Sequence, residues 1–256
     1  MIKAVFLDID GTLIAHEQGG VPESAGTALE EIRRRGVLVF ASTGRHILEL
    51  KKLPLENVTF DGYVTLTGQI CLDGDENLIC ETAIEKEDVD RMLHIFNQCE
   101  TPVVIVEKGR MYINFVNDHV RRVQKAISSP VPVVGIYTGN TIYQFVIYAR
   151  KKEALEIAGN LGGCVITSWN PEAVDVTSKK AGKARGIRRM IEKYGIRQDE
   201  IMAFGDGEND IDMIEFAGIG VAMGNAEEEV KRRADYVTDD VNKDGLRKAF
   251  EHFGLL

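Results

Sequence analysis

No apolar stretch in this chain approaches the ~18 residues needed to cross a bilayer as a helix, so no membrane-spanning helix is expected. The amino terminus, MIKAVFLDID, meets charge too soon for a signal peptide, and a cytoplasmic setting is expected. No block of Lys and Arg occurs. The 31 basic residues are outnumbered by 40 acidic ones, giving a net charge of −9 and a pI near 5.2. Nucleic acid and anionic membrane both need clustered cations, so neither is an expected partner. A small anion stays open, because it answers to the local field and to any bound metal. Cysteine is scarce: Cys71, Cys80, Cys99 and Cys164 show no C-x-x-C spacing. That argues against a zinc site or a disulfide framework and for reduced, partly buried thiols. The five histidines, His16, His46, His94, His119 and His252, show no pairing suited to a metal or a catalytic triad. Neither an internal repeat nor a low-complexity segment is present.

What the chain does have is an ordinary globular composition. Its 256 residues are 44% apolar and 28% charged, enough for one large domain or two unequal ones.

The stretch that stands out is VFLDIDGT, Val5 to Thr12. An apolar run, readable as a buried strand, ends abruptly in Asp8 and Asp10, and Gly11 releases the backbone into a turn. Period-two alternation puts both aspartates on one side of the chain. The carboxyl end of a central strand is where open α/β sheets bind ligands. Facing a phosphate dianion about 4 Å away, each unit pair of like charges costs about 4 kcal/mol at an effective dielectric of ~20. Two bare carboxylates would therefore oppose phosphate by something on the order of 10 kcal/mol. A divalent cation between them reverses the sign. An acidic metal site at a strand end is the expectation.

Along the chain, Ala25 to Arg35 has helical periodicity after Pro22 and Glu23, and Gly36 ends it. Val37 to Ala41 reads as a strand, leaving Ser42, Thr43, Gly44 and Arg45 at a second strand end, in a right-handed β-α-β unit. His46 to Lys52 reads as a helix and Tyr63 to Leu66 as a strand. Then the rhythm changes. QICLDGDENLICETAI and TPVVIVEKGRMYINF read as hairpins and Glu85 to Cys99 as an amphipathic helix. A helix capped by Asn117 is expected to run through Ser128. Tyr143 to Ala149 and Cys164 to Trp169 read as strands around a helix at Lys151 to Leu161. From Lys180 strict alternation returns: helix to Tyr194, strand Ile201 to Phe204, helix Asp210 to Phe216, strand Ile219 to Met223, helix Ala226 to Ala234, strand Tyr236 to Thr238, helix Lys243 to Phe253. The fold class expected is α/β, a Rossmann-like parallel sheet core at residues 1–82 and 180–256, with an inserted α+β cap at 83–179.

FGDGENDIDM supplies a second acidic strand end. Asp206 follows the strand directly, Asp210 lies four residues on, and Asn209 stands between them as a neutral donor or acceptor. With Asp8 and Asp10 these make a cluster of oxygen ligands of the kind Mg²⁺ prefers. Alternatively, Asp206 and Asp210 cap a helix and close a turn. The loop also resembles part of a calcium site, but the remaining ligand positions do not follow.

DIDGT, STGR, an isolated lysine and GDGEND, in this order, resemble the haloacid dehalogenase superfamily. VAMGNAEEEVKRRADYVT and the later KDG resemble its Cof-type subgroup, Mg²⁺-dependent phosphatases with a large α/β cap. The resemblance implies that Asp8 is the nucleophile and forms an aspartyl-phosphate. Asp10 would protonate the leaving alkoxide and later take a proton from water. Mg²⁺ would be held by Asp8, the backbone carbonyl of Asp10 and Asp206, with Asp210 a direct ligand or one contact removed. Thr43 would donate its hydroxyl to a phosphate oxygen, and Gly44 would let the backbone approach it, with Asn209 also on the phosphate side. Of Lys179, Lys180 and Lys183, the family pattern picks Lys183 to neutralise transition-state charge. Arg45 reaches the substrate or makes a surface ion pair. Trp169 reads as a core or interdomain residue.

The resemblance implies hydrolysis of a small phosphorylated metabolite, a sugar phosphate or related phosphomonoester. A phosphomutase on the same scaffold and a non-catalytic sugar-phosphate sensor are the alternatives; a sensor has no need of a nucleophile.

Overall fold

The computed structural model describes residues 1–15, 19–126, 129–159 and 161–256, with Trp169 described by its backbone alone. His16, the end of the expected helix at Ser128 and the side chain of Trp169 lie outside the described residues. The chain divides into two compact units, Met1–Glu81 with Gly182–Leu256, and Thr82–Ala181. The boundaries expected from sequence fell at 83 and 179. Among the described residues, no helix is long and apolar enough to cross a membrane.

The first unit is built on strand β1, Ala4–Leu7. All four of its residues are buried, as a strand covered on both faces requires. Val5 and Leu7 point into one apolar cluster, and Ala4 and Phe6 into another. The first cluster is closed by α1 (Glu23–Arg34) through Ala28, Leu29 and Ile32, and by α8 (Gly245–His252) through Ala249 and Phe250. The second is closed by α6 (Lys183–Tyr194) through Ile187 and Met190, and by α7 (Ile211–Phe216) through Met213. Phe6 stacks on Phe40 of β2 (Leu38–Ser42), ring centroids 4.7 Å apart. Truncating such a ring costs about 3–5 kcal/mol.

Strand β1 pairs in parallel with β2 on one side and with β11 (Ile201–Gly205) on the other. Beyond β2 come β3 (Gly62–Thr65), parallel, then β4 (Ile70–Asp73) and β5 (Leu78–Glu81), antiparallel. Beyond β11 lie β12 (Ile219–Ala222) and β13 (Tyr236–Val237), both parallel. The order is β13-β12-β11-β1-β2-β3-β4-β5. Chain connections leave β1 toward one edge and return on its other side, so the crevice beyond its carboxyl end is a topological switch point.

The second unit carries an antiparallel sheet, ordered β7-β6-β8-β10-β9. Its strands are β6 (Val103–Glu107), β7 (Met111–Ile113), β8 (Ile142–Ile147), β9 (Cys164–Asn170) and β10 (Ala173–Ser178). Helices α3 (Lys86–Gln98) and α5 (Lys151–Ala158) bury Val89, Met92, Phe96 and Ala154 against it. Between them α4 (Asp118–Ala126) starts where the Asn117 side chain accepts from the Val120 amide at 3.0 Å. A parallel-rich α/β core with a second, antiparallel α+β unit is the fold class the sequence implies.

One strand and one helix start are among the differences from the sequence reading. Strand β10 was not anticipated, because Asp175 interrupts its apolar run and the segment follows Asn170-Pro171 directly. It pairs on both sides nonetheless. Helix α6 starts at Lys183, not Lys180. Gly182, at φ +150°, breaks the backbone there, a conformation that L side chains rarely adopt.

Candidate active site

Parallel pairing carries the β1 ladder one residue past the strand: the Asp8 amide donates to the Phe204 carbonyl at 2.9 Å. That fixes Asp8 beside the end of β11, and it is 7% exposed. Gly11 then turns the chain at φ +79°, and a side chain there would overlap the Asp206 carboxylate. Glycine is thus required twice, for conformation and for approach. The Thr12 hydroxyl donates to Asp206 Oδ1 at 2.8 Å, and Asn225 Nδ2 donates to the Gly11 carbonyl at 2.8 Å. The two acidic strand ends are tied together through these contacts.

Helix α6 delivers Lys183 as its first residue, fully buried. Gly68 makes room, since a Cβ there would overlap the Gly182 carbonyl. Lys183 Nζ donates to Asp8 Oδ1 at 2.6 Å and to Asp210 Oδ1 at 2.5 Å. Asp210 Oδ2 accepts from the Asp206 and Gly207 amides at 2.9 and 3.0 Å. Asp210 therefore closes the turn, as one reading of the sequence held, and holds the lysine as well. Lys179 and Lys180 are exposed, Lys179 bonded to the Gly162 carbonyl and Lys180 paired with Glu85.

Among the described residues, Asp8, Asp206 and Asp210 each bring a carboxylate oxygen to a group whose members lie within 4.8 Å of one another. Three carboxylates against one ammonium leave surplus negative charge. Burial first, then the neighbouring Asp210, hold the Asp8 carboxyl well above its usual range, against the pull of Lys183. Burial likewise pushes Asp206 up to about 6, opposed by its bond from Thr12 and assisted by Asp210. Burial would lower Lys183, but Asp210 and Asp8 outweigh it and raise the ammonium further. An all-oxygen, electron-rich donor set with unneutralised charge fits a hard divalent cation.

The carboxylate of Asp10 is engaged elsewhere. Arg45 Nε and Nη2 donate to its two oxygens at 2.6 and 2.7 Å. The open choice for Arg45 resolves into this bidentate pair, each side chain 32% exposed. Thr43 is 1% exposed, and its Oγ accepts from the Arg45 amide at 3.1 Å. The hydroxyl proton remains available to an outside acceptor. A Cβ on Gly44 would sit 3.5 Å from Thr67 Oγ1 and 3.8 Å from Asn209 Nδ2, so Gly44 and Asn209 face the same space. Ser42 is fully buried, and its hydroxyl has no hydrogen-bond partner among the described residues. His46 is structural: its Nδ1 accepts from the Leu48 amide at 3.0 Å and caps α2 (Ile47–Leu50).

Sequence reasoning missed Thr12, Asn225 and Asp212, whose carboxylate accepts from the Ala184 amide at 3.1 Å at the start of α6. Thr12 and Asn225 stood within the quoted DIDGT and VAMGN motifs, the only signal available. Their partners are distant in the chain.

A family model of haloacid dehalogenase-like hydrolases matches residues 5–250. The chain is 30% identical over 260 residues to the 5-amino-6-(5-phospho-D-ribitylamino)uracil phosphatase YcsE of Bacillus subtilis, covering 99% of this chain and 96% of that one. It is similar to the structure of BT1666 from Bacteroides thetaiotaomicron, described among the phosphatases of this superfamily. That match has a TM-score of 0.91 at 33% identity and covers 100% of this chain and 96% of the other. The sugar phosphatase BT4131, of subclass IIB, matches with a TM-score of 0.86 at 36% identity over 99% of this chain and 100% of its own. With the acidic cluster at the carboxyl ends of β1 and β11, these likenesses place the chain in the haloacid dehalogenase-like hydrolase family.

Proposed function

We propose that this protein is a Mg²⁺-dependent phosphatase that hydrolyses a small phosphorylated metabolite, a sugar phosphate or related phosphomonoester, through an aspartyl-phosphate. Its partner is then a small molecule in the cytoplasm, neither nucleic acid nor membrane. One observation carries the reading: Lys183 is buried between Asp8 and Asp210, with the Asp206 carboxylate alongside.

In this reading an Asp8 oxygen attacks phosphorus and the bond to the leaving oxygen breaks. Asp10, in its protonated form and keeping one of its two bonds from Arg45, gives that alkoxide its proton. The resulting Asp10 carboxylate then takes a proton from the water that attacks the aspartyl-phosphate, and Asp8 is freed with release of phosphate. Lys183 offsets the charge that builds on the phosphoryl oxygens. Thr43 donates its spare hydroxyl proton to one of them, and Gly44 and Asn209 border the same space. Asp8, Asp206 and Asp210, with the Asp10 carbonyl, are the groups that would hold Mg²⁺, which when bound supplies positive charge to the phosphate and the carboxylates. The sugar phosphatase named among the similar structures supports the substrate class.

The test is a panel of phosphorylated metabolites assayed for phosphate release with Mg²⁺. Release from one or more sugar phosphates, abolished by exhaustive chelation and restored by Mg²⁺, is the expected outcome. Activity indifferent to chelation, or isomerisation without net phosphate release, contradicts it.

A further inference from the structure

Away from the acidic cluster, the β4–β5 hairpin sets two cysteines against each other. Cys71 and Cys80 are directly opposed in its antiparallel register. Opposed residues of antiparallel strands have Cα atoms about 4.5–5.5 Å apart and side chains on one face. A disulfide accepts Cα separations of about 4.4–6.8 Å. Cys71 belongs to the apolar cluster beneath α6, and Cys80 packs against the same cluster. They are free thiols here, Cys71 buried and Cys80 half-buried. Cys80 lies on β5, the last strand in the sheet order. One thiol is therefore reachable from solvent, and the second waits behind it.

We infer that Cys71 and Cys80 are a redox-active dithiol, a modification site that a low-molecular-weight disulfide closes reversibly into an intrachain bond. The Cys80 thiolate attacks one sulfur of the small disulfide and expels the other half as a thiolate. Cys71 gives up its proton to that thiolate and attacks the Cys80 sulfur, expelling the second half. Two protein thiols are oxidised by two electrons, and one small disulfide is reduced to two thiols. The direction in which each thiol's acidity is displaced agrees with this order. The neighbouring Cys71 holds Cys80 below the usual thiol range, helped by Arg189, while Cys80 and burial push Cys71 above it.

The native full-length protein, incubated with glutathione disulfide, alkylated and mapped without reduction, tests the inference. Cys99, which is exposed, reports in the same sample that the oxidant has acted. The expected result is a linked pair of peptides containing Cys71 and Cys80, two hydrogens lighter, reopened by dithiothreitol, and exceeding glutathionylated Cys80 by roughly ten-fold. In Cys80→Ser, Cys71 should stay open to alkylation after unfolding. The inference is overturned if Cys80 accumulates as the glutathione adduct with Cys71 still alkylatable. It is equally overturned if both thiols stay free while Cys99 reacts.

Discussion

Arg45 grips Asp10 with two parallel hydrogen bonds, Nε to Oδ2 at 2.6 Å and Nη2 to Oδ1 at 2.7 Å. The two residues come from the ends of adjacent strands, β1 and β2. Fork-to-fork geometry fixes the plane of the carboxyl group as well as its place. The pair stands partly in solvent, so it orients the Asp10 carboxyl group more than it stabilises the fold.

If Arg45 orients a proton donor, its loss should matter most where the leaving group needs a proton. Arg45→Ala is expected to lower kcat for an alkyl phosphate about 10–100-fold. The loss should be much smaller for p-nitrophenyl phosphate, whose phenolate leaves unaided. Parallel assays of the two substrates check this, and equal losses on both would count against the role given to the pair.

The buried lysine makes a second prediction, on stability. Lys183 is enclosed with Asp8 and Asp210, and removing one partner of a buried ion pair costs about 3–5 kcal/mol. Lys183→Met should therefore unfold at lower denaturant when metal is absent, with part of the loss recovered by Mg²⁺. Unchanged unfolding midpoints in chelator would show that the lysine is not holding these carboxylates together.

The raised Asp206 carboxyl predicts a pH effect with a definite sign. Its value in the fold, about 6, lies above the ordinary 3.8. Without metal, the stability this group contributes is present below about 4 and is lost as pH rises through about 6. Asp8 shifts in the same direction. A cation needs the ionised forms, so stabilisation by Mg²⁺ should grow over the same interval. Thermal melts with and without Mg²⁺ at about pH 5 and about pH 7.5 measure it. A metal-induced rise in Tm as large at the lower pH as at the higher would contradict the shift.

Much of this site was legible in the sequence because its parts sit where simple patterns stop. Val5 to Leu7 announced a strand by its unbroken apolar run, and the aspartates announced themselves by ending it. Lys183 stood out among three lysines only through the family pattern; its burial between Asp8 and Asp210 is a fact of tertiary structure. Arg45 had two readings because nothing local couples residue 45 to residue 10; that coupling is made by strand adjacency. Thr12 and Asn225 were hidden for the same reason, their partners lying 194 and 214 residues away. Strand β10 escaped because Asp175 disturbs the alternation that sheet pairing later restores.

The most direct measurement concerns Asp8. Enzyme turning over a radiophosphate-labelled phosphomonoester with Mg²⁺ would be acid-quenched, mapped for label, and in parallel reduced with borohydride, which converts an acyl phosphate to the alcohol. The account predicts label on the peptide containing Asp8, and homoserine at that position after reduction. Label on another residue, or phosphate release at full rate with no trapped adduct and an undiminished Asp8→Asn variant, would contradict it.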